Sequence, residues 1–341
     1  MRIGRTDNTV LIQAPAKLNL FLEILSRRDD GFHELETLMV AITIYDTVVV
    51  SPDPTGGIRL RCGWSPGREA GRIAGVPDQD AVWEAIPDGS RNLASGALDR
   101  LRVDAGLEMG ARALLHKRIP SAAGLGGASS DAAAALVAAA TAWNVGPDSR
   151  AVRAAAEQTG SDVAFFHRGL VQGAAAAVCR GRGERVETLE SAPRFHFVVV
   201  RPPAGLSTAE VYRHVRVPEA PRDVASARRS FESGDPNRLG RALHNRLREP
   251  AERLSPWVSR MRRLFAELDL PGHELSGSGT SYFGVCRNAR HARRTATRLN
   301  AVIGGAAFAA STHFPIPTPL ARSESMQSFP PGDRSGGFAV S

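Results

Sequence analysis

The stretch Pro120-Ser-Ala-Ala-Gly-Leu-Gly-Gly-Ala-Ser-Ser-Asp131 is where this chain most plainly offers chemistry. Gly124, Gly126 and Gly127 let the backbone take positive φ and come close to a ligand. The alanine run from Ala132 favours a helix, and Ser129, Ser130 and Asp131 are expected to open it as capping residues. Free N–H groups at such a helix start, backed by the helix dipole, bind anions, phosphate above all. The Ser129 and Ser130 hydroxyls are candidates to meet phosphate or Mg2+. A plain glycine turn before a helix would use the same residues without a ligand. The loop is not a Walker A sequence, because no Gly-Lys-Ser/Thr follows. Nor is it a dinucleotide fingerprint, because Ser129 stands where the third glycine belongs.

Four other stretches carry candidate groups. Lys17 and Asn19 lie two apart in an apolar run from Ala14 to Leu22, so on a strand they share a face. An ammonium there needs an anionic partner, or it snorkels to water. Lys17 and Lys117 are the only lysines among 43 basic residues. In a chain that otherwise writes its positive charge as arginine, a lysine is expected where a compact point charge is required. Asp162, in Gly160-Ser-Asp-Val, either caps a short helix or serves as a general base beside Lys17. Ser276-Gly-Ser-Gly279-Thr-Ser is a second small-residue loop, suited to close approach of a ligand or simply to a tight hairpin. Phe32 and His33 can stack on and hydrogen-bond a base, or they form a surface turn after Arg27-Arg28.

The elements that must position these residues read as follows. Apolar runs predict strands at 10–13 and 18–25 around an Ala-Pro-Ala turn, and a third over 39–51. Residues 52–87 are rich in Gly, Pro and charge and predict hairpin and loop. Helical spacing covers 92–104, and a strand over 111–119 leads into the glycine loop. The alanine helix stops at Asn144, Gly146 and Pro147, and a second helix over 149–159 is closed by Gly160. A buried strand is expected at 195–200. An arginine-rich helical segment follows at 225–268, then strand-loop-strand over 274–286 and a helix over 289–300. Residues 315–341, rich in Pro, Ser and Gly, predict a disordered tail. Strands and helices mix without strict alternation, which is the α+β class. The expected division is 1–190 for the first domain, 191–313 for the second and 314–341 for the tail.

Composition narrows the class further. With 341 residues and 43% hydrophobic content, the chain can bury the core of two domains. Net charge is +8, which permits a nucleic-acid partner. The arginines are dispersed and aromatics make up only 6%, so nucleic acid is not expected, and an RNA-binding protein is the distant alternative. Cys62, Cys179 and Cys286 are far apart and odd in number, which supports neither a disulfide framework nor a zinc site. The start of the chain lacks a signal-peptide pattern, and the apolar stretch 132–143 is too short to span a bilayer. A cytoplasmic protein without membrane contact is expected. Its oligomeric state is left open.

Taken together and in order, these stretches resemble the GHMP small-molecule kinases, over roughly residues 10 to 313. The likeness is most specific in Pro15–Leu22 continuing to Asp30–Leu35, in Ile119–Asp131 and in Gly160–Val163. It implies a ribosomal-S5-like N-terminal domain joined to a ferredoxin-like C-terminal one, with the site between them. It implies ATP as phosphoryl donor, with Mg2+, and a small polyol bearing a cytidine diphosphate as acceptor. By the same resemblance Asp162 is the catalytic base and Lys17 orients the reacting hydroxyl. Asn19 and His33 contact the acceptor, His33 reading cytosine, while Phe32 and Tyr212 stack on its two faces. Asn92 and Lys117 surround the adenosine. Pro120, Gly124, Leu125, Gly126, Gly127, Ser129 and Ser130 hold the phosphates, Ser130 being the candidate Mg2+ contact. Gly277 and Gly279 form the third motif. The rival acceptors are those of mevalonate- and homoserine-type members. Three departures stand out: Ala128 where another glycine is usual, Asn245-Arg246-Leu247 where Asn-Asp-Leu is usual, and a tail without counterpart. No role is assigned to 245–247.

Overall fold

The structure, a computed structural model, describes residues 3–6, 8–65, 86–87, 89–313 and 321–322. Its first half is built on a long hairpin, β2 (Thr9–Arg27) with β3 (His33–Asp53). Alternating β-branched and apolar residues explain both strands. The expected Ala-Pro-Ala turn does not form. The strand runs straight through it, and the pairing shifts register between Pro15 and Ala16. Proline cannot donate to the ladder, so it sits at the irregularity. The ladder passes from Pro15↔Tyr45 to Ala16↔Ile42, so β3 carries two extra residues there while β2 keeps its alternation. Val10, Ile12 and Ala14 pack in one core cluster, whereas Ala16, Leu18 and Leu20 pack in another. Lys17 and Asn19 occupy the alternate positions of the strand, on the face opposite Ala16, Leu18 and Leu20.

The first sheet has nine strands. Along it β1 (Ile3–Thr6), β2, β3, β5 (Gly110–Lys117) and β4 (Ile58–Trp64) are neighbours. The pair β6 (Ala176–Gly181) and β7 (Arg185–Thr188) extends from β3. Helices cover one face: α1 (Leu93–Asp104), α2 (Gly127–Ala142), α3 (Arg150–Thr159) and α4 (Ser161–Gln172). Half of α2 is buried alanine, which lets the helix lie close against the strands. It begins at Gly127 behind Gly126 at φ 71°, two residues earlier than the expected serine cap.

The second sheet is antiparallel, ordered β10 (Gly272–Leu275), β11 (Tyr282–Cys286), β8 (His196–Arg201), β12 (Ala306–Ser311). The helical stretch 225–268 is broken at Asp235-Pro236, at the two-residue strand β9 (His244–Asn245) and at Ser255-Pro256. The two halves interlock: β9 pairs with β2 of the first sheet, and Ile42 bridges Thr312. Within the stretch expected to be a disordered tail, Ala321–Arg322 pairs in parallel with β1. The rest of that stretch lies outside the described residues, as does most of the predicted loop region at 66–85.

Candidate active site

A single cavity of about 1460 Å3 runs between the glycine loop, the hairpin β2–β3 and the third-motif loop. The two loops touch closely. A Cβ on Gly124, at φ +70°, would lie 2.2 Å from Ser276 O, so only glycine allows the approach. Ser276 Oγ donates to Gly124 O at 3.0 Å, and Ser281 N to Ala123 O at 3.2 Å. Lys17 N donates to Leu125 O at 2.9 Å, which ties β2 to the same loop.

At the centre stands Lys17, buried, with Nζ 2.5 Å from Asn19 Oδ1 and 3.4 Å from Asp162 Oδ2. The Asn19 amide is oriented by its other end: Nδ2 donates to Thr37 Oγ1 at 2.9 Å, and that hydroxyl donates to Phe21 O at 2.6 Å. Asp162 lies in the first turn of α4 and does not cap it; Gly160 holds that position with no side-chain bond. The Asp162 carboxylate is one-third exposed, so it opens to the cavity while its partner is sealed. An ammonium beside a carboxylate that faces solvent can polarise a hydroxyl and leave the carboxylate free to take its proton.

One end of the cavity is aromatic. The His33 and Tyr212 rings lie 5.6 Å apart, tilted at 40°. Phe32 is 54% exposed, with the Arg182 guanidinium 5.0 Å from its ring centre. Burial, and secondarily the charge of Arg27, push the His33 pKa below its ordinary value, favouring the neutral ring. Asn92 and Lys117 are polar groups of the cavity wall. Asn92 also caps α1, accepting from Ala94 N at 3.0 Å. Lys117 reaches the cavity wall but is bound between Asp46 and Asp131 (2.5 Å), all three being buried. Asp46 further accepts N–H bonds from Arg118 and, at 2.8 Å, Ile119. The triad therefore pins both ends of the glycine loop to β3. Burial, with the Asp46 charge beside it, pushes Asp131 above the usual carboxylate range against the opposing pull of Lys117.

Of the residues expected from sequence, Lys17, Asn19, Phe32, His33, Asn92, Lys117, Pro120, Gly124, Leu125, Gly126, Gly127, Ser129, Asp162, Tyr212 and Gly277 all line this cavity. Ser130 and Gly279 do not. Ser130 is fully buried because α2 starts early enough to rotate it inward, and Gly279 packs on Leu275 and Leu206. Asp46, Thr37 and Arg182 went unread in the sequence, and Asn245 was noted there without a role. A charge inside the β-branched run of β3 was the one available signal for Asp46. Among the described residues no cluster of metal-ligating side chains occurs, and no helix is long and apolar enough to cross a membrane.

The fold and the paired loops define a class. Residues 92–180 match the model of the GHMP kinases N terminal domain, and 227–304 that of the GHMP kinases C terminal. The chain belongs to the GHMP kinase family, whose members are ATP-dependent kinases. It is 38% identical to 4-diphosphocytidyl-2-C-methyl-D-erythritol kinase of Pelotomaculum thermopropionicum, over 84% of this chain and 92% of that one. It is 36% identical to the enzyme of the same name from Rhodopirellula baltica, over 86% and 92%. A crystal structure of 4-(cytidine 5'-diphospho)-2C-methyl-D-erythritol kinase superposes with a TM-score of 0.70 at 34% identity, covering 88% of this chain and 98% of that one. Homoserine kinase from Cytophaga hutchinsonii, at 15% identity and a TM-score of 0.64, shares the fold.

Proposed function

We propose that this chain is a cytoplasmic ATP-dependent kinase that phosphorylates the 2-hydroxyl of 4-diphosphocytidyl-2-C-methyl-D-erythritol, a step in non-mevalonate isoprenoid precursor synthesis. The observation that carries the reading is the Lys17–Asp162 pair, placed in one cavity between the glycine loop and the aromatic end. ATP lies with its phosphates on the loop and its adenosine towards Asn92. The cytosine of the acceptor sits between Phe32 and Tyr212, where neutral His33 reads its edge. The acceptor hydroxyl rests between Lys17 Nζ and Asp162. Its oxygen forms the new P–O bond as the bond to ADP breaks, and its proton passes to Asp162. Such a reaction asks the protein mainly for positioning and charge stabilisation. Loop N–H groups and Lys17 supply both.

The residues beside the loop fit Mg2+. Asp131 and Ser129 line the cavity at the head of α2, and Asp131 Oδ1 is a hard oxygen without a hydrogen-bond partner; Ser130, turned inward, is not among the residues that would hold the ion. Bound there with ATP, the ion supplies charge neutralisation on the phosphates. The working halves are taken as residues up to about 190 and residues 191–313, the second supplying Tyr212 and the third loop.

A panel of acceptor alcohols given to the purified protein with ATP tests the reading. Turnover of the cytidine-bearing acceptor alone is expected. Turnover of mevalonate or homoserine in its place would sink it, and salt-dependent RNA binding without kinase activity would move the chain to another class.

A further inference from the structure

The segment His244–Leu247 has no part in the reading so far. Its place in the fold gives it one. Asn245 is buried, and its Nδ2 donates to both Leu275 O and Gly277 O at 2.8 Å. These carbonyls flank Ser276, the start of the third loop. Gly277, at φ +58°, is thereby laid against the reaction centre. A Cβ there would stand 3.3 Å from Lys17 Nζ and 3.4 Å from Asn19 Oδ1.

Asn245 is itself held on its other side to β2, the strand that carries Lys17. It pairs with Leu22, and Arg246 N donates to Leu22 O at 2.9 Å. Its Oδ1 accepts from Leu247 N at 2.9 Å, so the amide is locked with both N–H groups towards the loop. Next along β2, the fully buried Glu23 receives Arg246 through a two-pronged contact, Nε to Oε1 at 2.6 Å and NH2 to Oε2 at 2.8 Å. His244 Nε2 and the Arg222 N–H, each at 3.1 Å, and the Ile24 N–H at 3.0 Å complete its shell. Burial alone would raise this carboxyl, but the Arg246 fork, His244 and the N–H donors hold it well below the usual range. The arginine at 246, where the related pattern has aspartate, is thus the partner of a buried acid.

We infer that Asn245 is a positioning residue for the phosphoryl transfer: it clamps the third loop onto Lys17 and fixes where the ammonium points. The segment grips β2 with one side and the loop with the other, so it sets the spacing between them directly. A misplacement of about 1 Å at such a group costs on the order of 10²-fold in rate. The inference rests on the role given to Lys17 above.

The chain's composition supplies the test. With only two lysines, protein labelled with 13C-lysine shows two ε-carbon resonances, assigned by the Lys17→Arg variant. In Asn245→Ala the Lys17 resonance is expected to move while that of Lys117, held by Asp46 and Asp131, stays. Turnover should fall about 10- to 100-fold with the KM for ATP little changed. Asn245→Asp keeps the shape and the Leu247 acceptor but gives up donors to the loop, and it serves if the alanine variant does not fold. An unmoved Lys17 resonance overturns the inference. So does a joint shift of both resonances with lowered thermal stability, which marks a merely structural residue. The resonances are read without acceptor, so the two readings separate: an inactive wild-type protein sinks the acceptor, not the clamp.

Discussion

The two lysines of this chain are both buried, both lie against the glycine loop and both face aspartate, yet they stand in different surroundings. Lys117 sits between two buried carboxylates, one at 2.5 Å. Lys17 has one carboxylate, at 3.4 Å and one-third exposed, and a closer neutral amide. A cation enclosed by two anions is spent on holding structure. One with a single distant partner still has charge to give a ligand. The sequence treats the two alike, as rare lysines next to a phosphate loop. The difference comes from what the fold brings to each, and it predicts that replacing them should break different properties.

The largest effect is expected at Lys117. Lys117→Met leaves Asp46 and Asp131 buried without their counter-ion, and removing one partner of a buried ion pair costs about 3–5 kcal/mol. Denaturant unfolding should show that loss. Lys17→Met should cost little stability, because Asp162 can be solvated where it stands, but it should abolish turnover. Equal losses of stability in both variants would erase the distinction. Next in size is Asp162→Asn, which removes the proposed proton acceptor while keeping the shape. Turnover should drop by at least ~10²-fold, with ATP binding, measured by calorimetry, retained. Turnover like the wild type would remove Asp162 from the mechanism.

How much of this was open to reading follows from how local each feature is. The helix Ala289–Asn300 was legible to the residue and the helix Leu93–Asp104 to within one, the residue read as its start, Asn92, being its cap. The phosphate loop was legible because glycine is needed where it stands. The start of α2 was misread: serine and aspartate look like caps, yet Gly126 in the left-handed region opens the helix first and turns Ser130 inward. The Pro15 irregularity looked like a turn, since proline marks both. The roles of Asp46 and Asn245 were not legible because their partners are distant in the chain. Asp46 meets Lys117 across 71 positions, and Asn245 meets Leu275 across 30. No pattern of spacing reports such pairs; only the sheet order does.

The same comparison extends along the cavity to the aromatic end, where smaller effects on one substrate alone are expected. On the proposed reading, Tyr212→Ala removes one face of the base stack, worth about 1–3 kcal/mol. The acceptor's kcat/KM should fall about ten-fold or more, with the KM for ATP unchanged. Equal loss for both substrates would place Tyr212 outside the acceptor pocket.

The smallest effect is a matter of protonation at His33. Burial and Arg27 hold its pKa below the ordinary value, so the neutral ring, with one donor and one acceptor, persists to lower pH than a free histidine would allow. As pH falls through that depressed pKa the ring becomes a double donor and loses the acceptor it shows to the base. Protonation is also disfavoured by the fold, so any stability linked to His33 is present at neutral pH and lost on the acid side. The acceptor's KM should therefore stay flat near neutrality and rise on acidification by about 3- to 10-fold, the worth of one hydrogen bond. The KM for ATP should not follow it. In His33→Gln, whose amide does not titrate in this range, the acid rise should vanish. If that variant keeps the rise, the titrating group lies elsewhere in the protein.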